Sequence, residues 1–126
     1  MDSQPDGHVL IVEDDPAIAG LMATLLEEVQ VPAEVARTGN QALASVRARP
    51  PRLMILDLGL PGLYGTSVAV ALRRERPALP IVVVSAAPTR TVAEDAWSIG
   101  ARRFLTKPFE CDEFVDLVRQ ELRTAS

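Results

Sequence analysis

The sequence predicts an α/β fold in which a parallel sheet is covered by helices on both faces. Three observations predict it. Short apolar blocks alternate with longer amphipathic blocks five times along the chain. Three of the short blocks, HVLIV (8–12), RLMILD (52–57) and IVVVSA (81–86), are apolar without a break through their middle, as strands buried on both faces must be. The blocks between them are long enough for the helical crossovers that parallel neighbours require.

The elements follow in order. HVLIV is β1, and it runs directly into Glu13, Asp14 and Asp15. Asp15-Pro16 reads as a helix start, with an acid at the N-cap and proline at the first helical position. In α1, AIAGLMATLLEEV (17–29), Ile18, Leu21, Met22, Leu25 and Leu26 recur at helical spacing. AEVA (33–36) is β2, Thr38-Gly39-Asn40 is a turn and cap, and QALASVRAR (41–49) is α2, stopped by Pro50-Pro51. RLMILD is β3 and again ends on an acid. GLPGLYGT (59–66), with three glycines and a proline, is a loop. SVAVALRRER (67–76) is α3, with Pro77 and Pro80 bounding its exit, and IVVVSA is β4. RTVAEDAWSIG (90–100) is α4, closed by Gly100. RRFLTKPF gives β5, ending near Thr106. ECDEFVDLVRQELR (110–123) is α5, with Phe114, Val115, Leu117, Val118 and Leu122 on one side.

Composition narrows the function. A chain of 126 residues, 48% hydrophobic and 24% charged, suits one soluble domain with a real core. No apolar run approaches the roughly 20 residues that cross a bilayer. The acidic MDSQPDG start has no basic n-region, so no signal peptide is expected. One cysteine, Cys111, excludes an internal disulfide and fits a reducing cytoplasm. A net charge of −4 speaks against direct nucleic-acid binding. Of 13 basic residues only one, Lys107, is lysine.

In an open parallel sheet the ligand site lies beyond the carboxyl ends of the strands. That edge should hold Glu13 and Asp14 from β1, Asp57 from β3, Ser85 with Ala86 and Ala87 from β4, and Thr106 and Lys107 from β5. Two like charges about 4 Å apart repel by roughly 4 kcal/mol at an effective dielectric of 20. Bunched carboxylates therefore need a cation or open solvent. Mg²⁺ fits, because it takes oxygen ligands, commonly one or two carboxylates beside a phosphate. No His or Cys stands at zinc-ligand spacing. A carboxylate beside a cation stays ionised and can attack phosphorus, and phosphoryl transfer asks mainly for positioning and charge neutralisation. Lys107 can neutralise a phosphoryl oxygen as a point charge.

Each feature has a plain alternative. Three acids after a strand can be a solvated loop favouring a helix start. Asp57 alone can be a turn residue, and Lys107 before Pro108 a surface charge. Trp97 is expected to pack partly along its helix, His8 to be ordinary, Cys111 to be structural or neutral, and Met22 and Met54 to be core. The conjunction of the five site residues decides for the functional reading.

Glu13-Asp14, Asp57 followed by LGLPG, Ser85-Ala86 and Lys107-Pro108-Phe109 together resemble the receiver domain of two-component response regulators, over residues 8 to about 122. The resemblance implies a flavodoxin-like doubly wound (βα)5 fold with strand order 2-1-3-4-5, one domain over 1–126. It implies that Asp57 accepts a phosphoryl group from a sensor histidine kinase or histidine phosphotransfer protein. Glu13, Asp14, Asp57 and the Gly59 carbonyl would hold Mg²⁺; Ala86 and Leu58 complete the expected cofactor-binding set. Lys107 would pair with Asp57 and then with the phosphoryl group. Ser85 and Phe104 would be the switch pair. The output would pass through α4, β5 and α5 to a downstream partner, a fused output domain or a second copy. The domain would be a switch rather than a turnover enzyme, cytoplasmic and free of membrane or nucleic acid.

Departures from the family pattern stand out. Phe104 occupies a switch position often held by tyrosine, so it has no hydroxyl to bond. Tyr64 stands where many receivers have aspartate. Arg102-Arg103 replaces an acidic pair common in dimerising regulators. Gly59 and Ala87, each two positions past a site residue, supply no base for water, so a short-lived acyl phosphate is not expected. Three rivals are disfavoured. A phosphorylation-independent interaction module would lack one of the site residues. A flavin or nucleotide binder needs a glycine- and hydroxyl-rich loop where this chain has EDDP. A haloacid-dehalogenase-type hydrolase needs its nucleophile in a DxD setting on β1 and a cap domain.

Overall fold

The computed structural model describes residues 7–58, 67–86, 94 and 96–125. Five parallel strands form one sheet in the order β2-β1-β3-β4-β5. They are Val9–Val12, Ala33–Ala36, Leu53–Asp57, Ile81–Ser85 and Arg103–Thr106. The described helices are α1 (Pro16–Glu28), α2 (Gly39–Ala48), α3 (Ser67–Glu75) and α5 (Cys111–Ala125). Of α4, Glu94 and residues 96–98 are helical.

Strand periodicity sorts the core into two layers. Leu10, Val12, Met54, Leu56, Ile81 and Val83 point to the face that carries Ala42 and Val46 of α2, Leu72 of α3 and Ala96 of α4. Val9, Ile11, Leu53, Ile55, Val82, Val84 and Leu105 point to the other face, against Met22 and Leu26 of α1 and Phe114, Leu117 and Val118 of α5. Every residue of β1, β3 and β4 is buried, whereas the edge strands β2 and β5 are partly exposed. The uninterrupted apolar runs are the central strands because both of their faces are covered.

Helix ends explain the small boundary shifts. Asp15 is the N-cap of α1: its Oδ1 accepts from the N–H groups of Ala17 (2.9 Å) and Ile18 (3.3 Å), and Pro16 opens the helix. Thr38 Oγ1 accepts from Gln41 N–H at 3.1 Å, so α2 begins at Gly39, two residues earlier than expected. At the far end of α1, Gln30 takes the left-handed conformation (φ 64°). Its N–H donates to Glu27 O and that of Val31 to Leu26 O, the paired bonds of a Schellman stop, here without glycine.

Trp97 is 65% exposed, in keeping with partial packing, while its neighbours Ala96 and Ile99 are buried in the core. One expectation needs correction. His8 is not ordinary. It is buried at the amino end of β1, and neither ring nitrogen has a hydrogen-bond partner among the described residues. Glu34 Oε1 lies 3.5 Å from its Nε2, short of a hydrogen bond. Burial, helped by the charge of Arg49 and opposed by Glu34, holds the imidazole pKa below its ordinary value. Met22 and Met54 are core, and Cys111 is exposed.

Candidate functional site

Parallel register brings the candidate residues to one level. Val12 pairs with Leu56, Asp57 with Val84, and Ser85 with Thr106. Glu13 and Lys107 each follow the last residue of their strand by one position. Both backbones are held by a further ladder bond: Glu13 N–H donates to Ala36 O at 3.0 Å, and Lys107 N–H to Ser85 O at 2.8 Å. The side chains are thus set by the sheet rather than by loops. The Lys107-Pro108 peptide is cis.

Lys107 is the centre of the cluster. Its ammonium donates to Glu13 Oε1 at 2.7 Å and to Asp57 Oδ2 at 3.1 Å. The Asp15 N–H donates to the other Glu13 oxygen at 3.2 Å. Glu13, Asp57 and Ser85 are buried, and Asp14 is exposed. Arg37 donates to the Asp14 carbonyl at 3.1 Å and so ties the loop after β1 to the end of β2.

The electrostatics are out of balance. Glu13, Asp14 and Asp57 each offer a carboxylate oxygen, and these atoms lie within 4.8 Å of one another. Among the described residues one cation, the Lys107 ammonium, faces them. Burial raises the Glu13 carboxyl above its usual range and the Asp57 charge adds to the rise, against the Lys107 and Asp15 hydrogen bonds. Burial alone would lower the Lys107 pKa, but its hydrogen bonds to Glu13 and Asp57 outweigh this and the net shift is upward. Lys107 is therefore ammonium at neutral pH. Donors that are all oxygen, negative in sum and open on the Asp14 side suit a hard divalent cation such as Mg²⁺.

The other sequence-derived residues divide. Ser85 ends β4 beside Asp57, and Ala86 is exposed next to it. Leu58 is half-buried and packs on the α2–α3–α4 side of the core, as does Phe104. Phe104 also lines a groove of about 290 Å³ with Arg103, Glu113, Asp116, Leu117 and Gln120. Gly59, Tyr64 and Ala87 lie outside the described residues. Glu121 escaped the sequence reading. This buried carboxylate of α5 takes the Arg102 guanidinium at 2.5 Å and has that of Arg103 at 3.6 Å. Its signal was faint, a lone acid on the apolar side of α5.

A family profile described as the response regulator receiver domain matches residues 9–119. The chain belongs to the receiver domain family. Among curated relatives, the nitrogen assimilation regulatory protein NtrX of Azorhizobium caulinodans is 38% identical over 118 residues, covering 92% of this chain and 26% of that protein. The DNA-binding response regulator MtrA of Mycolicibacterium smegmatis is 36% identical and is covered to 50% of its length. This receiver thus spans a quarter to a half of these relatives. The crystal structure of the NtrX receiver domain from Brucella abortus superposes with a TM-score of 0.84 at 31% identity, covering 92% of this chain and 98% of that one. A CheY-like receiver from Methanospirillum hungatei, at 24% identity and a TM-score of 0.88, shares the fold.

Proposed function

We propose that this receiver is a phosphorylation-controlled switch in which Asp57 is the phosphoacceptor. The observation that carries the reading is Lys107, whose ammonium bridges Glu13 and Asp57 at the carboxyl edge of the sheet. An Asp57 carboxylate oxygen attacks phosphorus while the bond from phosphorus to the donor's histidine nitrogen breaks. The imidazole keeps the electron pair and takes up a proton. Glu13, Asp14, Asp57 and the Gly59 carbonyl would hold Mg²⁺, which supplies charge neutralisation at the phosphoryl oxygens when bound. Lys107 moves its contact from the Asp57 carboxylate to a phosphoryl oxygen. Ser85 donates a hydrogen bond from its hydroxyl to another, and the backbone beside Ala86 and Leu58 completes the surround of the group.

The donor is a sensor histidine kinase or a histidine phosphotransfer protein. The response passes from Ser85 and Phe104 to the surface of α4, β5 and α5, and from there to a downstream protein or a fused output domain. Phe104 has no hydroxyl, so its movement is driven by packing alone. Carrying the population from mostly off to mostly on takes a differential of about 5.5 kcal/mol. Buried Glu121 pairs with Arg102 and lies 3.6 Å from Arg103, which leaves those exposed arginines partly neutralised on the face a symmetric dimer would use. We place the domain in the cytoplasm, where such donors act.

Intact mass after incubation with Mg²⁺ and acetyl phosphate tests the reading. One added phosphoryl group is expected, absent in Asp57→Asn and after chelation, with a half-life longer than seconds. Beryllofluoride covers the case of a receiver that accepts only from its kinase. No Mg²⁺-dependent response to either reagent would leave an interaction module instead.

A further inference from the structure

The strongest unassigned feature lies at the opposite edge of the sheet. Arg73, in the last turn of α3, points into a groove of about 640 Å³ between the α3–β4 connection and the α4–β5 turn. Its guanidinium donates to five backbone carbonyls. Nε reaches Ile99 O at 2.9 Å and Nη2 reaches Gly100 O at 3.4 Å. Nη1 reaches Arg76 O at 3.3 Å, Pro77 O at 2.9 Å and Leu79 O at 2.7 Å. Among the described residues no carboxylate pairs with it. Two helix ends therefore share one cation.

The α4 end is built to receive it. Ala101 N–H donates to Ala96 O and Gly100 N–H to Trp97 O, both at 3.0 Å, a Schellman stop with Gly100 at φ 72°. That stop leaves the next carbonyls, Ile99 and Gly100, without a helical donor. Arg73 supplies the donors and sets a positive charge at the negative end of α4. A Cβ on Gly100 would meet the guanidinium at 3.8 Å, an ordinary contact, so glycine is required there by the backbone angle and not by space.

α4 connects the carboxyl end of β4, where Ser85 lies, to the amino end of β5. A force applied from the site therefore reaches α4 at its far end from Arg73. We propose that Arg73 is a pivot pin: it fixes the carboxyl end of α4 and the start of β5, so that a response driven from Ser85 turns α4 about Ile99–Gly100 instead of shifting it whole. This rests on the switch reading. Arg73 is a positioning residue, since it touches no reacting atom.

Amide NMR tests it on wild type, Arg73→Met and Arg73→Lys, each without ligand and with Mg²⁺ and beryllofluoride. Without ligand, the Gly100 and Ala101 amides of Arg73→Met should exchange at least tenfold faster than in wild type. The Glu13 amide, bonded within the sheet, should change less than twofold. In wild type, beryllofluoride should shift Ser85 and Ala86 at least threefold more than Gly100 and Ala101. In Arg73→Met the two pairs should shift alike. Arg73→Lys keeps the charge but not the fork and should fall between, and it decides the matter if the methionine variant does not fold. Unchanged exchange in both variants, or equal shifts in wild type, would overturn the pivot while leaving the switch intact. No shift at Ser85 would remove the switch and the pivot with it, whereas faster exchange in Arg73→Met would then mark a static clamp.

Discussion

The two edges of one sheet solve opposite electrostatic problems. At the carboxyl edge, among the described residues, three carboxylates face one ammonium, and negative charge is left over. At the amino edge a single guanidinium faces five carbonyl dipoles, three of them shared by Nη1, and among the described residues it meets backbone and no carboxylate. The first arrangement is poised for a ligand that brings positive charge. The second is complete without one. The difference teaches that a fold can keep its mismatch where it binds and its closure where it anchors.

The largest expected effect breaks the balance at the carboxyl edge. Lys107→Met removes the ammonium that buried Glu13 and Asp57 share and should cost about 3 kcal/mol of stability without metal. Denaturant unfolding with and without Mg²⁺ checks this, and the loss should shrink when the cation is present. A variant as stable as wild type without metal would show that solvent already screens the cluster.

Asp15→Ala sharpens the contrast within the acid run itself. Asp15 caps α1, so its loss should cost about 1 kcal/mol while phosphorylation of Asp57 survives. Equal loss of phosphorylation would make Asp15 part of the site. At the amino edge, Gln30→Gly should stabilise by roughly 0.5 kcal/mol, since glycine adopts the left-handed angle freely but loses more chain entropy. Thermal or denaturant melting reads it, with no change expected in the rate of phosphorylation.

The smallest effect is a pH dependence. The His8 pKa is held down in the fold, so the unfolded chain binds the proton more tightly. Stability is then full above about pH 6.5, the imidazole's ordinary value, and declines as pH falls through the folded pKa. His8→Leu should flatten that part of the stability profile. An unchanged slope would assign it to other groups.

Much of this was legible in the chain. Continuous apolar runs gave β1, β3 and β4, because burial on both faces leaves no alternation to confuse. Glu13, Asp57, Ser85 and Lys107 could be placed together because each ends a strand, and parallel strands end at one level. The parts that were not legible depend on distant partners. The tie from Glu121 to Arg102 joins residues 19 apart in sequence. Arg73 looked like one of a run of surface arginines, because its acceptors are carbonyls, which have no side-chain signature.

Lys107 is also the only side-chain amine in these 126 residues. Its side chain is 14% exposed and held between two carboxylates. Reagents that acylate amines will therefore find no surface lysine to consume them, and a slow modification at this position would count openings of the site. A bond formed on this lysine would sit beside Asp57. The lone exposed cysteine, Cys111, is the better point of attachment.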